Sequence, residues 1–109
     1  MNLNEGGALQ WATYATNRDA ISTNWGHELP RETWWHAAVV NDGRHTILYV
    51  DGSELLRNPS TPAPGLRTTS EFWMLGAYHY DRVIERSFYG WLGDVRIVNR
   101  TLPVRSFML

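Results

Sequence analysis

Cysteine is absent from this 109-residue chain, which excludes a disulfide framework, a thiolate metal site and a cysteine nucleophile. Lysine is absent as well: all ten basic residues are arginine, a pattern that reads as coding bias before it reads as chemistry. Charge of one sign never accumulates. Ten basic and eleven acidic residues are interspersed and leave a formal net charge of -1. Nucleic acid or an anionic membrane surface would demand a basic patch, so neither is expected as a partner. No apolar run is long enough to span a bilayer, and the opening Met1-Asn2-Leu3-Asn4-Glu5 lacks the basic and apolar regions of a signal peptide. The G-x-S-x-G elbow, both glycine-rich phosphate loops and the H-E-x-x-H zinc spacing are missing too.

What is present points to one globular domain over residues 1–109. Apolar residues make up 43% of the chain, the level of an ordinary packed protein. Aromatics reach 13%, with six Trp and five Tyr, a load suited to a β-sandwich core or to a binding face. A chain of this size buries roughly 65% of its unfolded surface, enough for a modest core.

The pattern is β nearly throughout. Residues 8–15 (ALQWATYA) and 21–25 read as strands, and residues 26–32 as a loop. Residues 33–40 and 44–50 flank Asn41-Asp42-Gly43, and a second Asp-Gly at Asp51-Gly52 leads into residues 53–57. Asp and Gly tolerate the positive φ that a hairpin needs, so these runs predict a three-stranded antiparallel meander. Residues 58–65, with three prolines, read as a surface loop. Residues 71–78 are expected to form a strand ending near Gly76, followed by a polar loop up to Arg86. Residues 87–99 predict the last long strand, with a bulge or close backbone approach at Gly90 and Gly93. Residues 101–109 are expected to pack as a tail. No segment keeps helical periodicity over three turns, so the fold class is all-β, an antiparallel sandwich.

Three blocks in this order resemble the laminin G-like, concanavalin A-like lectin and glucanase superfamily. Trp34-Trp35-His36-Ala37-Ala38 and Leu48-Tyr49-Val50-Asp51-Gly52 are similar to its W-x-H-x-A and L-Y-V-D-G segments. Leu75-Gly76 is similar to its Leu/Ile-Gly pair. The run from Phe88 through Gly90, Asp94, Val95, Arg96 and Ile97 to Arg100 and Leu102 is similar to its closing F-x-G-x-(I/L)-x-(D/E)-V-R-I-x-x-R-x-L. The wording also resembles laminin G-like domains found beside calcineurin-like phosphoesterase domains in some actinobacterial proteins.

The resemblance implies a concanavalin A-like jelly roll that is incomplete at its N-terminal side. It also implies a binding module working outside the cytoplasm, either extracellular or associated with the cell envelope. An incomplete sandwich exposes strand edges and an apolar sheet face, so a homo-oligomer through that surface is expected.

A carbohydrate or glycoconjugate ligand would stack its C–H faces on exposed rings, for which Trp25, Trp35, Trp73, Tyr78, Tyr80 and Trp91 are the candidates. Against this stands the need of a short chain to bury most of its large rings, with Tyr78 and Tyr80 the best placed to stay exposed. Many relatives bind calcium through loop oxygens. Asp19, Asp42, Asp81 and Glu85 are the possible donors, although solvated turn acids are the better reading of the same positions. His36 shares a strand face with Trp34 and reads as a partly buried, hydrogen-bonded histidine before it reads as a metal ligand. The glucanases of the superfamily place acids at alternate strand positions, as in E-x-D-x-E. No such triplet occurs here, which argues against a glycoside hydrolase. The remaining reading is an accessory or protein-interaction domain of a larger secreted protein, such as a metallophosphoesterase.

Overall fold

The structure, a computed structural model, describes residues 2–3, 8–13, 23–58, 65, 74–80, 82–85 and 87–107. Its regular elements are strands β1 (Asn2–Leu3), β2 (Ala8–Thr13), β3 (Thr23–Glu28), β4 (Ala37–Asn41), β5 (Thr46–Val50), β6 (Ser53–Asn58), β7 (Tyr78–Tyr80) and β8 (Val83–Glu85). One short 3₁₀ turn, Val104–Ser106, is the only helical element among the described residues. The all-β expectation holds. The chain divides into two compact units, residues 1–12, 24–29 and 68–97 in one, and 13–23, 30–67 and 98–109 in the other.

The second unit contains the meander, strands β4-β5-β6 paired antiparallel in sequence order. Strand β5 (TILYV) is built from β-branched and aromatic residues that suit a pleated surface. It lies between its two neighbours, and Thr46, Ile47 and Leu48 are all buried, at 2%, 3% and 0% exposure. Because Ile47 and Leu48 point to opposite faces, both faces of this strand are covered.

Two different turns hold the register. Val50 pairs with Ser53, leaving Asp51 (φ 47°) and Gly52 (φ 77°) as a two-residue turn with both φ values positive. That is the type I′ geometry matching the twist of the strands. The β4–β5 connection is longer than a tight turn, because Asn41 pairs with Thr46 and four residues lie between. Its shape comes from Asp42, whose Oδ1 accepts the N–H groups of Arg44 (2.8 Å) and His45 (2.7 Å). Gly43 takes φ 90° within it. The β5–β6 register slips between Leu48 and Tyr49: Leu48 faces Leu56 and Tyr49 faces Glu54, so Leu55 is an extra, bulged residue.

The C-terminal segment closes on this sheet, as expected of a packed tail. Thr101 Oγ1 donates to the Asn41 carbonyl (3.1 Å), and the Phe107 ring meets Tyr49 edge-on at 5.3 Å. The same ring lies 6.0 Å from His36.

The first unit holds a sheet of order β1-β2-β3, with β1 and β2 antiparallel, and the β7-β8 hairpin. Four boundaries differ from the sequence reading here and in the meander. Strand β3 runs on to Glu28, so the loop begins at Leu29, just ahead of Pro30. Strand β4 starts at Ala37, after Trp34, Trp35 and His36. The described part of 71–78 is not a strand before Tyr78, because Gly76 turns the chain at φ 77°. The polar stretch after it is a hairpin, with Tyr80 facing Val83 and Arg82 at φ 66° in the two-residue connection.

The largest correction concerns residues 87–99. They form no strand, and apart from half-buried Phe88 the large apolar side chains along them stay exposed. A strand exists only when a second backbone supplies its ladder bonds. From Tyr89 to Val95 no such bond reaches another described residue.

Candidate functional site

The ribbon over residues 87–97 is anchored at its start and open beyond it. The Phe88 N–H donates to the Gly76 carbonyl at 2.7 Å. The Phe88 ring then folds over Gly90 so closely that a Cβ there would sit 2.7 Å from it, which requires glycine unless the ring moves. The Leu92 side chain reaches Gly76, at 3.6 Å from where a Cβ would stand. Phe88 is half-buried against Gly76 and Gly90, while Leu92 touches Gly76 and still stays 56% exposed. Tyr89 is 97% exposed and Trp91 85%. Exposed Asp94 and Arg96 follow.

Two large rings two residues apart, with an acid and a guanidinium next to them, form an amphipathic surface. The rings offer flat apolar faces, and the polar pair offers hydrogen bonds of both senses. Sequence reasoning named Trp91 and missed Tyr89.

Trp35 is half-buried just before β4, while its neighbour Trp34 is 68% exposed. Trp25 lies on β3, and Tyr78 and Tyr80 on β7, in strands where a loop was expected for the tyrosines. Trp73 lies outside the described residues.

The calcium candidates were Asp19, Asp42, Asp81 and Glu85. Asp19 and Asp81 lie outside the described residues, and Glu85 stands on β8. Asp42 spends its carboxylate on local structure: Oδ1 on the two turn N–H groups, Oδ2 beside Arg57 Nη1 at 3.4 Å. Those contacts, the His45 N–H first, hold its pKa below the usual 3.8. Arg57 in turn grips Glu54 through two bonds of 2.9 and 2.8 Å, and that contact raises its own pKa. No group of three or more His, Asp or Glu that could hold a metal occurs among the described residues.

His36 is placed by its backbone. Its N–H donates to Asp51 Oδ1 (2.8 Å), and its carbonyl accepts the Asp51 N–H (2.9 Å). The expected side-chain hydrogen bond is not made: Nδ1 is buried without a partner among the described residues, on a ring that packs against Phe107. The W-x-H-x-A and L-Y-V-D-G segments thus meet, because the Asp51 of the turn clamps the residue that opens β4.

An antiparallel all-β domain carrying an exposed aromatic ribbon fits the class of binding-type modules. Residues 1–105 match a laminin G family described as the concanavalin A-like lectin/glucanases superfamily, and the chain belongs to that family. Its domains are antiparallel β-sandwiches, generally non-catalytic and typically extracellular. No curated protein and no solved structure matches the chain. Among the described residues no helix is long and apolar enough to cross a membrane.

Proposed function

We propose that this domain is a non-catalytic module that binds a carbohydrate or glycoconjugate outside the cytoplasm, with Tyr89 and Trp91 as its stacking surface. The observation that carries the reading is the exposure of these two rings, 97% and 85%, on one anchored ribbon. Rings of that size are normally used to bury area, and leaving two adjacent ones in water costs the fold stabilisation that it forgoes. Sugar C–H faces stack on such rings, and a carboxylate such as that of exposed Asp94 would accept hydrogen bonds from hydroxyls.

A glycan array tests this, run on the folded chain with calcium and again with a chelator. Saturable binding to a related set of glycans, abolished by Trp91→Ala, is the expected result. Loss of binding on chelation would assign a calcium ion to the loops. A blank array from a sample that melts cooperatively would remove the glycan reading.

One observation favours a second reading, an accessory domain that contacts protein within a larger secreted assembly such as a metallophosphoesterase. Leu92, Val95 and Ile97 expose apolar surface on the same ribbon. An array blank together with stable capture of a neighbouring catalytic domain would support it.

A further inference from the structure

We propose that Asn99 is an acceptor for an N-linked oligosaccharide. The inference rests on the extracellular habit of the family and not on the glycan-binding reading. It starts from the sequence. Only two asparagines are followed, two places on, by a hydroxyl residue: Asn58 by Ser60 and Asn99 by Thr101. Transfer of a sugar to asparagine needs the amide and that hydroxyl brought together in a turn. Pro59 stands between the first pair, and its fixed φ and missing N–H bar such a turn. Arg100 stands between the second pair and permits it. Asn99-Arg100-Thr101 is therefore the one complete acceptor motif in the chain.

A motif of three residues recurs by chance, so its surroundings decide whether it is used. Here Asn99 and Arg100 form a bend, and residues 98–101 are all exposed. A bulky, hydrated group on Asn99 displaces nothing from the core of this unit, which is centred on β5. Beyond the motif the chain is held down. Thr101 Oγ1 donates to the Asn41 carbonyl at 3.1 Å, and Leu102, Val104 and Phe107 are half-buried. The hydroxyl that the transfer needs is thus already spent in the folded domain. Modification must come before this segment closes, on the chain as it is exported. In the transfer, the Asn99 side-chain nitrogen attacks the anomeric carbon of an oligosaccharide carried on a polyprenyl diphosphate. A carbon–nitrogen bond forms, the carbon–oxygen bond to the diphosphate breaks, and the polyprenyl diphosphate leaves with that electron pair. One amide proton passes to a base of the transferase, so no redox partner is needed.

The test is expression of the whole chain, behind an export leader, in a eukaryotic cell line that N-glycosylates its secreted proteins. Both cell extract and medium are read by mass spectrometry, so a variant that folds poorly is still seen. The wild-type chain is expected to carry a single oligosaccharide, at Asn99. An amidase specific for the sugar–asparagine bond should remove it and leave aspartate in that place. Asn99→Gln and Thr101→Ala should each lose the modification completely, and Thr101→Ser should retain it. Arg100→Pro keeps both reacting groups and should lose the modification too. A wild-type chain that is exported unmodified overturns the proposal. So does a modification that survives Asn99→Gln, which would place the sugar on another residue.

Discussion

Strand β5 and the 87–97 ribbon have similar sequences and opposite fates. Thr46-Ile47-Leu48-Tyr49-Val50 and Asp94-Val95-Arg96-Ile97 are both rich in the β-branched residues that favour strands. The first is buried to 3% or less over three consecutive residues, and the second is exposed at every position. The difference lies in where a neighbour comes from. Connections of four and two residues deliver β4 and β6 to the two sides of β5, at little cost in loop closure. From Tyr89 to Val95 no ladder bond joins the ribbon to another described residue. Strand propensity is therefore a statement about fitting a sheet, and a second backbone has to be present before it takes effect.

The largest effect that tests this contrast is expected at Leu48. Leu48→Ala should lower stability by about 2–5 kcal/mol in urea unfolding, as full burial with a residual cavity implies. Val95→Ala on the ribbon should stay within about 0.5 kcal/mol of the wild type in dilute solution. Comparable losses at the two sites would mean that the ribbon is packed after all.

Phe107→Ala should cost about 1–2 kcal/mol, less than a fully buried phenylalanine, because its ring is half-buried and closes only one side of the meander on Tyr49 and His36. The same unfolding measurement, with the truncated chain as a control, reads it out. Gly52→Ala should cost about 1 kcal/mol through the left-handed φ of 77° that the turn demands. The equivalent change at Gly90 acts through sterics instead, by displacing the Phe88 ring, and should appear in the near-ultraviolet circular dichroism before it appears in stability.

A smaller effect is expected from acid. Asp42 is held below its ordinary 3.8 by the N–H of His45, then that of Arg44, with the charges of His45 and Arg57 adding to them. A carboxylate lowered on folding stabilises the protein above the unfolded value, and that contribution is lost as pH falls through the lower, folded value. Its size should be under about 1 kcal/mol, because the carboxylate keeps its contact with water. Asp42→Asn should flatten this part of the stability profile below pH 3.8. The smallest effect on stability belongs to Trp91→Ala, within about 0.5 kcal/mol, although the same change should abolish glycan binding.

The meander was legible residue by residue. Asn41-Asp42-Gly43 and Asp51-Gly52 punctuate runs that suit strands, and both turns formed where those residues stand. The Asp51 clamp on His36 was not legible, since it joins positions fifteen residues apart through a side chain on a turn. The β7-β8 hairpin was hidden by polar residues, because Tyr80, Asp81, Arg82 and Val83 read as a loop while their pairing depends on a left-handed φ at a non-glycine residue. Of the candidate rings, Trp91 was named and Tyr89 was not. Their shared exposure depended on the inward turn of Phe88 onto Gly90 and Gly76, a contact no periodicity announces.

By itself the sequence determined the all-β class, the family and the order of the meander, because short-range turn chemistry and local alternation are carried by neighbouring residues. It also determined what the chemistry lacks: thiols, phosphate loops and an acidic triplet. Tertiary structure decided which β-prone segments became strands and which rings met water. Those outcomes rest on contacts between residues far apart in the chain, and such contacts leave no trace in local pattern.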